Sequence, residues 1–100
     1  MVKRSPGDKS RPGPELYLRR MLVDEALYEL GRYLDQVFLA GMTTVRIVHG
    51  KGTGVLRKAV RDSLSSHSLV DVYREGYTGE GGAGVTVVEM ANMGNKEVQR

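Results

Sequence analysis

The sequence has no cysteine, no long apolar run and only two histidines among its 100 residues. Without cysteine, the chain cannot form disulfides, use a thiolate nucleophile or bind zinc through cysteine ligands. No apolar run approaches the roughly 18 residues that a membrane span needs. The first residues, Met1-Val2-Lys3-Arg4, are followed by polar residues where a signal peptide needs an apolar stretch. We therefore expect a cytoplasmic protein with no membrane partner.

Proline is also scarce, and all three prolines lie within the first 14 residues, MVKRSPGDKSRPGP. This segment is rich in basic residues and offers almost nothing to bury, so we predict a flexible basic linker over residues 1–14. A chain of 100 residues with 40% hydrophobic residues fits one domain with one core. We place that domain at residues 15–90 and expect a frayed C-terminal tail over residues 91–100. We expect residues 1–14 to be an interdomain linker in a longer natural protein.

Charge is distributed unevenly along the chain. The formal net charge is +3 and the sequence pI is about 9.4, which favours an acidic partner. Residues 44–61 contain five basic side chains and no acidic one, whereas residues 23–35 contain four acidic side chains and one arginine. This pattern predicts one basic face. Solvated helix charges would produce the same pattern, so charge alone does not identify a binding surface.

Hydrophobic periodicity predicts the element order β-α-β-α-β-β. Alternating or β-branched stretches predict strands over residues 15–19, 43–48, 69–74 and 84–90. Apolar residues at three- and four-residue steps predict a first helix from Val23 to Phe38, with Gly41 as its stop signal. The same spacing predicts a second helix whose inward positions are Val55, Leu56, Ala59, Val60 and Leu64. A glycine-rich loop over residues 76–83 joins the last two strands.

The order of elements predicts the layer arrangement. Right-handed crossovers place both helices on one face of the sheet. The loop between the last two strands can turn back, so the fourth strand is predicted to be antiparallel to its neighbour. The expected fold class is therefore an α/β two-layer sandwich with a mixed four-stranded sheet and both helices on one face.

A glycine-rich turn, His49-Gly50-Lys51-Gly52-Thr53-Gly54, lies between the second strand and the second helix. Backbone N–H groups at such a helix start lack intrahelical acceptors, and the helix dipole stabilises anions there. The glycines allow positive φ and close approach of a phosphate, Thr53 is a candidate N-cap, and Lys51 adds a mobile charge. The spacing matches neither the Walker A pattern nor the dinucleotide fingerprint. A purely structural turn is the alternative, and the flanking basic residues favour phosphate binding: Arg57, Lys58 and Arg61.

His49 ends the second strand, where α/β sheets expose functional groups. Histidine can act as a general acid or base near neutral pH, but a hydrogen-bonded structural histidine would occupy the same place. His67 is interpreted as a surface residue at a helix end. Two distant histidines and scattered acids form no recognisable metal-ligand cluster, and no Ser-His-Asp spacing is evident.

Two segments resemble the Smr (small MutS-related) domain: residues 49–57, HGKGTGVLR, and residues 84–89, GVTVVE. The resemblance covers roughly residues 15–90, and it points to the version at the C-terminus of bacterial MutS-two proteins, where a charged linker precedes the domain. The family's fold resembles the C-terminal domain of bacterial translation initiation factor three, in agreement with the predicted order of elements. The resemblance implies a nucleic-acid-binding domain of a larger MutS-like ATPase involved in recombination suppression.

The resemblance also implies two functional motifs. The His-Gly-x-Gly motif is intact at His49–Gly52, and the first motif, Leu-Asp-Leu-His/Arg-Gly, appears as Leu16-Tyr17-Leu18-Arg19-Arg20. Tyr17 stands where the family usually has aspartate, and Arg20 stands where it usually has glycine. A tyrosine cannot orient a histidine, bind a metal ion or activate water as an aspartate would. Binding is therefore a firmer expectation than cleavage.

The resemblance implies one of two functions. The first is a DNA-nicking endonuclease without sequence preference, in which His49 transfers a proton and Arg19 stabilises charge on the phosphorane. The second is a non-catalytic module that binds DNA, RNA or the ribosome. For both, the predicted nucleic-acid contacts are Lys51, Gly50, Gly52, Thr53, Gly54, Arg57, Lys58, Arg61 and Arg20. We expect DNA as the first partner and no cofactor within the domain, and the need for a divalent metal stays open.

Overall fold

The computed structural model describes residues 12–92 of the chain. Its four strands are β1 (Glu15–Tyr17), β2 (Thr44–Val48), β3 (Val70–Glu75) and β4 (Val85–Met90). Its two α-helices are α1 (Val23–Leu39) and α2 (Val55–Ser65), and two short 3-10 turns at Thr78–Glu80 and Gly82–Gly84 precede β4. Residues 1–11 of the predicted linker and residues 93–100 of the predicted tail lie outside the described residues.

The four strands form one mixed sheet in the order β1-β2-β4-β3. β1 is parallel to β2, and β4 is antiparallel to both of its neighbours, β2 and β3. The predicted element order and the α/β fold class are confirmed, and the last strand lies between β2 and β3. That central place fits its composition, because its first four residues, from Val85 to Val88, are all buried.

The two helices pack against each other and share one apolar core with the sheet. α1 contributes five buried residues at three- and four-residue steps, and α2 contributes Val60 and Leu64. Strand residues Val45, Ile47 and Val88 belong to the same cluster, on the helix-facing side of the sheet, together with Leu18 and Met90. The prediction that Val55 faces inward is wrong: its side chain is 61% exposed, because it is the first helical residue beside the solvent-exposed turn.

The end of α1 follows the glycine signal. Gly41 has φ 77, its N–H donates to the Phe38 carbonyl, and the Met42 N–H donates to the Val37 carbonyl. These two bonds form a Schellman motif, which satisfies carbonyls that the helix end leaves without partners. The predicted stop at Gly41 is confirmed.

The segment between β3 and β4 folds back over the face of the sheet opposite the helices. Arg74 donates two hydrogen bonds to the Glu80 carboxylate at 2.8 and 3.0 Å. These bonds, with one from the Tyr77 backbone N–H, lower the pKa of Glu80 to about 2. At Gly81, with φ 116, an added Cβ would collide with the side chain of Val85. Glycine therefore permits the loop to lie directly on β4.

Candidate nucleic-acid interface

The glycine-rich turn has the backbone that its sequence predicts. Gly50, Gly52 and Gly54 adopt φ angles of 84°, 39° and 91°, a region that residues with a Cβ rarely adopt. Between them, the backbone N–H groups of Lys51, Gly52 and Thr53 donate to no protein acceptor within residues 12–92, and these three residues are exposed. The turn thus presents unpaired donors to solvent at the start of α2.

The predicted N-cap at Thr53 is wrong. Gly54 occupies the N-cap position with φ 91 and no side-chain cap. The hydroxyl of Thr53 accepts only a long 3.4 Å bond from the Val55 N–H, because the left-handed Gly54 separates Thr53 from the helix start. The first turn of α2 also contains no acidic residue that would offset the helix dipole.

Basic side chains surround the turn. Lys51 is exposed on it, the Cγ atom of Arg19 lies 3.4 Å from a Cβ built on Gly50, and Arg57 Nη2 lies 3.3 Å from one built on Gly54. Lys58 points away into an exposed ion pair, with Nζ 3.1 Å from Asp62 Oδ2. The structure therefore brings Arg19, Lys51 and Arg57 together at the turn.

Two open pockets flank the turn. One, of about 340 Å³, lies on the helix side and includes Arg20, His49 and Arg57 in its lining. The other, of about 450 Å³, lies on the opposite face of the sheet, with Arg19 and Lys51 in its lining. We call these the helix-side pocket and the sheet-side pocket. Every residue from Gly50 to Gly52 lines both pockets.

His49 is 4% exposed, and both of its ring nitrogens have partners. Nδ1 lies 2.9 Å from the Gly50 carbonyl oxygen, and Nε2 lies 2.8 Å from Thr86 Oγ1. A neutral ring that donates from Nδ1–H and accepts the Thr86 hydroxyl proton at Nε2 satisfies both contacts. Burial lowers the pKa of His49, and the nearby charges of Arg61 and Arg57 lower it further, against an opposing effect of the Gly50 carbonyl. His49 is therefore neutral near physiological pH.

Arg61 is connected to His49 through the hydroxyl of Thr86, which is hydrogen-bonded to both side chains. Its Nε–H donates to Thr86 Oγ1 at 3.1 Å, and its Nη2 lies 3.8 Å from Glu75 Oε1. Nη2 is buried, and within residues 12–92 it has no hydrogen-bond partner. Arg61 thus contacts Thr86 and Glu75 and lines neither of the two pockets at the turn. Its predicted contact with nucleic acid stays a prediction.

Sequence reasoning missed Thr86, which joins His49 to Arg61 and is fully buried. The available signal was a hydroxyl residue within the otherwise apolar start of β4, GVTVV. A buried hydroxyl needs a partner, but the sequence does not name one 37 residues away.

The glycine-rich segment between β3 and β4, residues 76–84, is also part of the site. The Gly84 carbonyl oxygen accepts hydrogen bonds from the N–H groups of His49 and Gly50, at 3.1 and 2.9 Å. A Cβ on Gly84 would lie 3.5 Å from the Gly50 backbone and 3.6 Å from Lys51 Cγ. The glycine-rich turn and the segment that precedes β4 are therefore in direct contact, and two hydrogen bonds join them.

Arg20 is the one residue other than glycine with positive φ, 69°, within residues 12–92. It follows β1 at the position where the Smr motif usually has glycine. The motif glycine thus has a conformational reason, and the arginine here is held in a left-handed backbone.

The family model for the Smr domain matches residues 16–91 of the chain. This chain belongs to the Smr domain family. The matched range contains both glycine segments, Tyr17, Arg19 and the His49-Thr86-Arg61 network.

Curated relatives of this Smr domain carry the name endonuclease MutS2. The Pelotomaculum thermopropionicum protein is 55% identical over 78 residues, which are 78% of this chain and 10% of the relative. The Clostridium botulinum protein is 58% identical over 73 residues, which are 73% of this chain and 9% of the relative. The chain spans about a tenth of the length of the curated relatives it matches.

Solved structures show the same fold. The Smr domain of Thermus thermophilus MutS2 has a TM-score of 0.78 and 41% identity, covering 80% of this chain and all of that one. YdaL, a stand-alone small MutS-related protein from Escherichia coli, has a TM-score of 0.75 and 26% identity, covering 79% of this chain and 65% of that one. The SMR domain of NEDD4-binding protein 2 has a TM-score of 0.60 and 27% identity, covering 82% and 90%.

Residues 12–92 contain no group of three or more histidine, cysteine, aspartate or glutamate side chains placed to hold a metal ion. Neither α1 nor α2 has the length and apolar character needed to cross a membrane.

Proposed function

We propose that this Smr domain binds nucleic acid through the sugar-phosphate backbone, with a phosphate on the glycine-rich turn. The observation that carries the proposal is the set of exposed, unpaired N–H groups of Lys51, Gly52 and Thr53, at a helix start beside cationic side chains. Backbone amides at such a position, aided by the helix dipole, stabilise a phosphate without reading a base. Recognition of this kind is independent of sequence and depends strongly on salt.

Three cations fit this role by position. Lys51 extends from the turn itself, and Arg19 and Arg57 approach it from opposite sides, beside Gly50 and Gly54. Membership of the Smr family supports the assignment, because relatives of the domain are named endonucleases. DNA is the first partner we propose, with RNA or the ribosome as the alternative. In a longer parent protein, the domain would deliver a MutS-like ATPase to nucleic acid, in the suppression of recombination.

Titration of a fluorescent oligonucleotide at several salt concentrations tests the binding proposal. Lys51→Ala should weaken binding roughly tenfold, as loss of one charge-assisted contact of about 1.5 kcal/mol would, and should reduce the salt slope by about one. Arg32→Ala is the matched control, because Arg32 is an exposed arginine on α1, paired with Glu29. Equal effects of the two variants would contradict binding at the turn.

A nicking activity is the second candidate, supported by the name of the MutS2 relatives. In this role a water oxygen attacks phosphorus while His49 accepts the water proton. The phosphorus–oxygen bond to the leaving strand breaks, its electron pair stays on the leaving oxygen, and that oxygen takes up a proton from solvent. Arg19 would stabilise the charge on the phosphorane. Proton acceptance at Nε2 requires the Thr86 hydroxyl to release that nitrogen, since the two atoms are 2.8 Å apart.

A supercoiled-plasmid assay, with and without Mg²⁺ or Mn²⁺, tests the nicking proposal. Nicking by the wild-type domain that is lost in His49→Ala supports it, provided that circular dichroism shows the variant folded. Tyr17→Asp restores the aspartate that the family usually has and should raise the rate. Absence of nicking by all three proteins, with binding retained, would leave the domain as a binding module.

A further inference from the structure

The sheet-side pocket has an apolar floor formed by residues of β2 and β4, and the exposed Tyr17 of β1 lies next to this floor on the same face of the sheet. Tyr17 of β1 pairs in register with Val48 of β2, and Val48 pairs with Val85 of β4. Register partners present their side chains on the same face of a sheet. Val48 and Val85 line the pocket, and Tyr17 lies beside them with its side chain 60% exposed.

The rim of the pocket is cationic and continuous with the glycine-rich turn. Arg19 and Lys51 line it, together with Gly50 and Gly52. Gly81 and Gly84, from the segment between β3 and β4, form another wall. The pocket of about 450 Å³ therefore joins an apolar floor to the donors proposed to hold a phosphate.

The ring of Tyr17 is tethered rather than free. Its hydroxyl donates to Glu15 Oε1 at 2.7 Å, while Arg46 Nη1 donates to the other oxygen of that carboxylate at 3.1 Å. Arg46 thereby offsets the charge of Glu15 on a surface that would approach nucleic acid. A tethered aromatic ring loses little conformational freedom when a ligand packs on it.

We propose that the sheet-side pocket receives an unpaired nucleobase that stacks on Tyr17, from a strand whose phosphate lies on the glycine-rich turn. The inference rests on the proposed nucleic-acid binding and names its substrate class. A base inside a duplex is stacked and paired, so it reaches such a pocket only after leaving the helix. The preferred substrates are therefore single strands, strand ends and junctions that expose unpaired bases, rather than continuous duplex.

Stacking also assigns a role to the residue that departs from the family motif. An aspartate at position 17 offers no aromatic surface, whereas tyrosine offers a face that accepts any base. Stacking of one base on an aromatic side chain adds affinity and tolerates sequence changes. Tyr17 is thus a specificity residue for unpaired nucleic acid.

Affinities for a single-stranded oligonucleotide and for its blunt duplex, measured with four proteins, test this inference. Tyr17→Ala should weaken single-strand binding by about 5- to 100-fold and leave duplex binding unchanged. Tyr17→Phe keeps the ring but loses its hydrogen bond to Glu15, so it should bind the single strand far better than Tyr17→Ala does and at most slightly more weakly than wild type. Tyr28→Ala is the matched control, because Tyr28 is a 67% exposed tyrosine on α1. It should bind both ligands as wild type does.

A 2-aminopurine within the single strand provides a second readout of stacking. Its fluorescence should be quenched on binding to wild type and to Tyr17→Phe, but not on binding to Tyr17→Ala. If wild type binds neither ligand, the proposed function itself fails. If wild type binds both ligands while Tyr17→Ala leaves both affinities and the quenching unchanged, the stacking inference is overturned and phosphate binding at the turn stands.

Discussion

The two sides of the glycine-rich turn differ in how their polar groups are satisfied. On the buried side, His49 has partners on both ring nitrogens, and Thr86 joins it to Arg61. On the open side, the N–H groups of Lys51, Gly52 and Thr53 have no protein acceptor within residues 12–92, and these three residues are exposed. The hydrogen bonds on the buried side therefore fix the conformation of the turn, whereas the donors on the open side are available to bind a ligand. Variants that affect one side alone separate these two roles.

The largest stability effect is expected at Thr86. Thr86→Val keeps the shape of the side chain but leaves Nε2 of His49 and Nε of Arg61 without their partner. Loss of the partner at one buried and one partly buried polar group should lower the free energy of unfolding by about 3 kcal/mol, measured by urea denaturation. Thr53→Val is the control on the open side and should change stability by less than about 0.5 kcal/mol. Equal losses in the two variants would remove the distinction between the sides.

Glycine-to-alanine changes compare the turn with an ordinary helix. Gly52 has φ 39 with nothing within 4 Å of a built Cβ, so Gly52→Ala introduces backbone strain without a collision. We expect a loss of about 1–2 kcal/mol. Gly31 in α1 has equally open surroundings and no positive φ, so Gly31→Ala should stabilise by about 0.8 kcal/mol. Thermal unfolding of both variants checks the opposite signs, and a stabilised Gly52→Ala would contradict the strained backbone.

Arg20 offers a smaller effect of the same kind. Its φ of 69° costs free energy that glycine would not incur, so Arg20→Gly should raise stability by about 1 kcal/mol and Tm by roughly 4–8 °C. Arg20→Ala keeps the left-handed backbone and should gain nothing. A similar gain in both variants would point to the lost charge rather than to backbone strain.

The smallest expected effect is the pH dependence that comes from His49. Burial lowers its pKa below the usual 6.5, so between the folded and unfolded pKa values the unfolded chain binds more protons. Stability is therefore unaffected by this group above about pH 6.5 and falls as pH decreases below it. Urea denaturation between pH 7.5 and 5.5 should show this decline in wild type and a flatter dependence in His49→Gln. Parallel curves would contradict a neutral, buried His49.

Local features of the fold could be read from the sequence, because they depend on neighbouring residues. The period of α1 and its stop at Gly41 are of this kind, and so are the positive φ angles at Gly50, Gly52 and Gly54. The position of β4 between β2 and β3 depends on pairing across the chain, which no local pattern specifies.

The candidate site shows the same limit. The sequence brings His49, Lys51 and Gly54 together because they share one turn, and resemblance to the family adds Arg19. The sequence does not show that Arg61 donates a hydrogen bond to Thr86. Helix periodicity predicts on which face of the helix a residue lies, but it does not predict that residue's partner. The apolar floor of the sheet-side pocket, with Tyr17 beside Val48, depends on the register between strands. The sequence does not specify that register.

The most direct test of the account is a map of backbone amide shifts in the ¹⁵N-labelled domain as a short oligonucleotide is added. Phosphate binding on the open side predicts that the largest changes fall on residues 50–54 and the first turn of α2, while Thr86 and Glu75 change little. Largest changes on α1, or none at residues 50–54 under saturating ligand, would contradict it.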